Sequence, residues 1–180
     1  VVHDGDADIG ISNLSDTEAR RERVDFTKPY IGSRVAMVID LDSLEKSGID
    51  VIEPADLNRP DVKAALTRDS AYDFVYDELM PKATRVDTQQ GNFDAIASAV
   101  VDGDAHLVID DGFTLFLGMD TNPDYAKRYF LHIFDEYDDP LSMCLPHGEP
   151  ELREFLNKLI DEIEEQEPVT LELIVDRYMK

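Results

Sequence analysis

An α/β fold with a largely parallel sheet is the class this sequence predicts. Three observations carry that prediction. Short apolar runs of strand length recur at 35–39, 62–66 and 106–109. Segments with helical periodicity lie between and after them. Proline or glycine separates several of the two kinds of element, which is the pattern of strands alternating with helices.

Taken in order, Ala7, Ile9 and Ile11 alternate with small or polar residues and predict a short strand. Asn13-Leu14-Ser15-Asp16 reads as a polar turn, and residues 17–23 as one or two helical turns capped by Ser15 or Asp16. Residues 24–27 lead to Pro29, which blocks further helix because it lacks the N–H. The run 35–39 predicts a buried strand, 56–60 a loop, and 62–66 a second buried strand. Tyr72, Phe74, Val75 and Leu79 predict a helix over 70–80 that Pro81 stops. Residues 83–86 predict a third strand. Phe93, Ile96, Ala97 and Val100 share one face of a helix over 92–101. A strand over 106–109 ends in Asp110-Asp111-Gly112, and a helix over 113–117 follows. Further on come a strand near 130–134, an acidic loop over 135–140, an apolar run at 141–145 and two helices, 150–166 and 170–179.

Composition bounds the function. The chain has 180 residues, with 17 Lys and Arg against 40 Asp and Glu, a net charge of −23. At 43% hydrophobic residues it can bury a sizeable core despite that charge. Its acidic excess repels phosphate backbones, so no nucleic-acid partner is expected. No apolar run approaches the roughly 20 residues that span a bilayer. A lone cysteine, Cys144, excludes an internal disulfide framework and a Cys-rich metal site. The four histidines lack ligand spacing, and Asp4-Gly5-Asp6-Ala7-Asp8 lacks the later Gly and Glu of a calcium loop. No metal and no cofactor are expected. The opening residues show no initiator Met and no targeting signal, and a strand beginning so near residue 1 leads us to expect a truncated or processed first lobe.

The run from Asp6 to Arg20, with Ser15, Thr17 and Arg20 in order, continues into Val24-Asp25-Phe26-Thr27-Lys28-Pro29-Tyr30. It resembles the family 3 extracellular solute-binding proteins, the amino-acid receptors of ABC importers. Leu57-Asn58-Arg59-Pro60-Asp61-Val62, the helix–Gly–strand–Asp segment over 99–111 and the helix beginning near Glu151-Leu152-Arg153 fit the same family. The resemblance implies a type II periplasmic-binding-protein fold of two α/β lobes, joined by two crossover strands and closing over a ligand in a cleft. Lobe 1, incomplete, is then 1–32 with 141–180, and lobe 2 is 33–140. An incomplete lobe leaves an open sheet edge, so the chain is expected to oligomerise, to swap elements with a partner or to rearrange that lobe.

The resemblance also implies a site. A free amino acid needs a cation for its carboxylate and an anion for its ammonium, and a guanidinium suits the first. Arg20 holds the position of the family's carboxylate-binding arginine, and Asp111 that of the ammonium-binding acid. Asn13 and Ser15 are implied as ligand-facing, and Ser70 as an N–H donor at a helix N-terminus. Each has an ordinary structural alternative: Arg20 in a solvated Arg cluster, Asp111 and Ser70 as caps, Asn13 and Ser15 closing a turn. Asp69, where the family has Gly, is expected to bias the ligand towards cations.

The function expected is extracytoplasmic capture of a small amino acid-like ligand for an ABC permease, in the periplasm or outside the cell, without catalysis. One alternative is a dehydratase of the cyclohexadienyl type, whose Gly-Gly-Thr-Asn-Glu turn corresponds to Arg68-Asp69-Ser70-Ala71-Tyr72, with Tyr72 where the acid is expected. The other is a sensory ligand-binding domain of a membrane receptor.

Overall fold

The computed structural model describes residues 1–68, 70–88 and 93–166. They fall into two compact units, Val1–Ser33 with Asp138–Lys180, and Arg34–Tyr137. The expected helix over 170–179 and Asp69 lie outside the described residues.

In the first unit, helix α1 (Glu18–Arg21) precedes strand β1 (Asp25–Ile31). The cap of α1 is Thr17, not Ser15 or Asp16. Its backbone is extended and its hydroxyl accepts the Arg20 N–H at 3.3 Å, which satisfies one of the open donors of the first turn. Residues 7–11 do not form the expected strand. Only Gly10 pairs, exchanging two hydrogen bonds of 2.8 and 2.9 Å with Cys144, and Ile11 is exposed. Alternation alone makes no strand where a neighbouring ladder is lacking.

The second unit begins with β2 (Arg34–Ile39), α2 (Leu41–Lys46), a 3-10 turn (Pro54–Leu57), β3 (Lys63–Thr67) and α3 (Asp73–Leu79). It continues through β4 (Thr84–Thr88), α4 (Phe93–Val101), β5 (Leu107–Asp111), α5 (Gly112–Thr121), α6 (Pro123–Arg128) and β6 (Phe130–Asp138). The sheet runs β4-β3-β5-β2-β6. β3 is parallel to β4 and β5, and β2 is antiparallel to β5. In β2, β3 and β5 alternate residues serve two clusters. Met37, Leu66 and Ile109 face α3, while Val38, Ala65 and Val108 face α4 and α5. Burial on both faces explains why the middles of these strands read as apolar runs.

Two short helices escape the sequence reading. In α2 the carboxylate of Asp40 caps the Ser43 N–H at 2.9 Å, and α6 starts with Pro123 at its first turn. At six residues each, neither repeats an apolar face often enough to announce itself. Conversely, β6 continues through the residues expected as an acidic loop. It borders the sheet, where charged side chains on the open face are tolerated, and Asp135 pairs with Arg34 at 2.8 Å. Tyr137 packs back onto the core.

The first unit resumes with β7 (Leu141–Leu145), antiparallel to β1, and α7 (Pro150–Gln166). Leu156 and Ile160 of α7 pack with Met143, against Ile9, Tyr30 and Leu152.

Candidate functional site

In the first unit the polar segment 12–16 is held in place on both sides. Tyr30 donates its hydroxyl to the Ser12 carbonyl at 2.6 Å, and Ser15 bridges to Leu141 of β7. Asn13 is exposed, whereas Ser15 is buried. The Ser15 carbonyl accepts one N–H from the guanidinium of Arg20 at 2.8 Å. A guanidinium has five such donors. Among the described residues, no carboxylate pairs with Arg20. Its neighbour Arg21 is engaged differently, with a two-pronged ion pair to Asp16 at 2.6 and 2.7 Å. The two adjacent arginines therefore have different chemical availability.

In the second unit the polar groups collect at the C-terminal ends of the parallel strands, which is where α/β sheets hold ligands. Thr67 and Thr88 stand at the same register of β3 and β4, with their hydroxyls 3.4 Å apart. Asp110 and Asp111, both buried, end β5. Asp111 takes an extended backbone and accepts the Thr114 N–H at 2.9 Å, so it caps α5. Burial pushes its carboxyl above the usual range, against the hydrogen bonds that favour the anion. Such a carboxylate gains most from a nearby cation. Ser70 is half-buried and its hydroxyl accepts the Tyr72 N–H at 3.3 Å. It precedes the first residue of α3 by three positions, so the expected helix N-terminus at Ser70 is displaced to Asp73.

Sequence reasoning passed over Thr67 and Thr88. The available signal was a threonine ending each of two strand runs, followed in the first by Arg68, which pairs with Asp87 at 2.7 Å. Among the described residues no group of three His, Cys, Asp or Glu side chains forms a metal site, and no helix is long and apolar enough to cross a membrane.

Each unit is of α/β type, the first with a cation held by a single carbonyl and the second with a buried acid at a strand end, and such a fold defines a class of ligand-binding proteins. Comparison agrees with that class. The model of the bacterial extracellular solute-binding proteins, family 3, matches residues 1–180, and the chain belongs to this family. It has the type II periplasmic-binding-protein fold and is a solute-binding protein. No protein of curated function matches the chain by sequence.

Solved structures share the fold. A binding component of an ABC transporter from Wolinella succinogenes, complexed with lysine, is 22% identical with a TM-score of 0.77, over 99% of this chain and 73% of that one. An ancestral amino acid-binding protein, a precursor of cyclohexadienyl dehydratase, is 24% identical with a TM-score of 0.73, over 99% and 72%. An amino acid ABC transporter substrate-binding protein from Streptococcus pneumoniae, bound to L-arginine, is 22% identical with a TM-score of 0.70, over 92% and 65%.

Proposed function

We propose that this chain is the extracytoplasmic receptor of an ABC importer and that its ligand is an amino acid, with the cationic ones preferred. The observation that carries the reading is Arg20, whose guanidinium is fastened by one bond to the Ser15 carbonyl and is otherwise without a carboxylate partner among the described residues. A ligand carboxylate is the natural acceptor for its remaining donors. Asp111 supplies the opposite charge, and Asn13, Ser15 and Ser70 supply neutral polar contacts. The lobe division goes with this reading, 1–32 and 141–180 against 33–140. So does two-state closure on ligand, in which the ligand shifts an existing equilibrium. Lysine and arginine are the ligands named for two of the similar structures, and a net charge of −23 favours cations at long range. The reading requires neither self-association nor a catalytic group.

A thermal-shift screen over the amino acids tests it. A ligand at 100 times its dissociation constant stabilises by roughly 2.7 kcal/mol, a shift that is easily seen. Lysine or arginine is expected to shift the chain most and glutamate least. Arg20→Ala is expected to weaken binding by about 10- to 100-fold, the scale of a lost charge-assisted pair. A flat screen, or full affinity in Arg20→Ala, overturns the reading, and turnover of prephenate followed by absorbance would replace it with a dehydratase.

A further inference from the structure

We propose that the second unit carries another small-molecule site, for a neutral ring compound with one N–H or O–H donor. A cavity of about 310 Å³ opens between β2, β6 and the segment that carries the 3-10 turn. Met37, Ile39, Val51 and Leu57 form apolar walls. Three of the chain's exposed large apolar side chains, Leu41, Ile52 and Phe130, line the same cavity, and Ile52 is 95% exposed. Single exposed apolar residues are commonplace, but several gathered around one hollow mark a binding surface.

Within the second unit the cavity lies away from Asp111. Ile39 pairs with Leu107 at the start of β5, whereas Val35 pairs with Asp111 at its end. Four residues of β2 separate these positions, about 13 Å at roughly 3.3 Å per residue. An open hollow of this size forfeits contacts that a packed interior makes, and its walls offer water few partners. Its volume is at the lower end of ligand pockets, which run from about 300 Å³, and suits one or two fused rings.

Two polar groups on the wall select the chemistry. His132 stands edge-on to Phe134 with ring centroids 4.7 Å apart, and among the described residues its ring nitrogens have no hydrogen-bond partner. Glu53 also lines the cavity, and its side chain closes the capping box of the 3-10 turn with Asp56. An imidazole ring offers a nitrogen acceptor that has no partner among the described residues, and a carboxylate accepts too, so the matching ligand group donates a hydrogen bond. Glu53, within a chain of net charge −23, disfavours an anion.

The test uses indole as probe and methyl-resolved NMR of the whole chain. Saturable shifts confined to the methyl groups of Met37, Ile39, Val51 and Leu57 are expected, with no comparable shifts from benzoate. His132→Phe is expected to weaken indole by about three- to tenfold, the effect of one hydrogen bond, and Val51→Phe to abolish binding by filling the hollow. Non-saturating or scattered shifts, benzoate binding as well as indole, or full indole affinity in folded Val51→Phe would each overturn the proposal. If Val51→Phe does not fold, the wild-type shift map together with His132→Phe decides the question.

Discussion

The two units reach stability by different means. In the second, a five-stranded sheet lies between buried clusters of 17 and 11 residues. In the first, among the described residues, α7 meets a two-stranded pair through a cluster of three, and much of the remaining linkage is polar. Lys28 reaches Asp161 and Glu164 of α7, the latter at 2.9 Å, and its backbone N–H donates to Asn157 at 2.9 Å. His147 and Arg153 gather on Asp25. Exposed ion pairs contribute little each and weaken with salt, whereas apolar burial does neither. The first unit is therefore expected to respond to pH and ionic strength and the second to cavities.

The sharpest way to break this comparison is to carve each core. Leu66→Ala, at a fully buried position of β3, is expected to cost about 3–5 kcal/mol, because the sheet is packed on both faces and cannot collapse into the void. Leu156→Ala on α7 is expected to cost about 2 kcal/mol, since its small cluster relaxes more freely. Denaturant titration of both variants measures the difference; equal costs would mean that the two cores are equally rigid.

A smaller effect distinguishes packing from propensity. Ala at position 118 is favoured over Gly in a helix interior by about 1 kcal/mol. In α5, however, a Cβ on Gly118 would run into the Phe93 ring, which must then move away from Tyr125. Overpacking of this kind costs about 1–3 kcal/mol, so Gly118→Ala is expected to destabilise by about 1 kcal/mol net. A raised melting temperature would show that the ring yields freely.

The smallest expected effect is specific to the first unit. The hydrogen bond to Asp25 at 2.9 Å holds the exposed His147 imidazole above its ordinary pKa of 6.5, and the Glu22 backbone adds to this. A raised folded-state pKa gives stability that is fully present below the unfolded value and lost as pH rises through the folded one. The melting-temperature difference between wild type and His147→Ala is thus expected to be largest near pH 5, below the unfolded value, and to shrink as pH rises above neutrality. Asp25, which is lowered chiefly by the same bond, sets the opposite limit: its contribution fades as pH falls through its depressed value. A difference that is constant from pH 5 to 9 would remove His147 from the account.

Legibility in the sequence followed the range of the forces involved. Strands β2, β3 and β5 were readable because burial on both faces needs continuous apolar runs, and α7 because one apolar stripe repeats along 17 residues. The capping role of Asp111 was open to a local reading, since its partner is the Thr114 N–H three residues on. Residues 7–11 misled because alternation states which side chains share a face, not whether a partner strand exists. The acidic stretch of β6 misled because charge signals solvent, and a strand at the sheet border meets solvent without leaving the sheet.

By itself the sequence determined the class of fold and the family, because periodicity and short motifs are properties of neighbouring residues. Tertiary structure decided which arginine is left available. Arg20 and Arg21 are identical in chemistry and adjacent in the chain, and the fold engages one with Asp16 and the other with a single carbonyl. It also decided that Thr67 and Thr88 meet and that a hollow opens behind Ile52, since these depend on register and packing between distant segments.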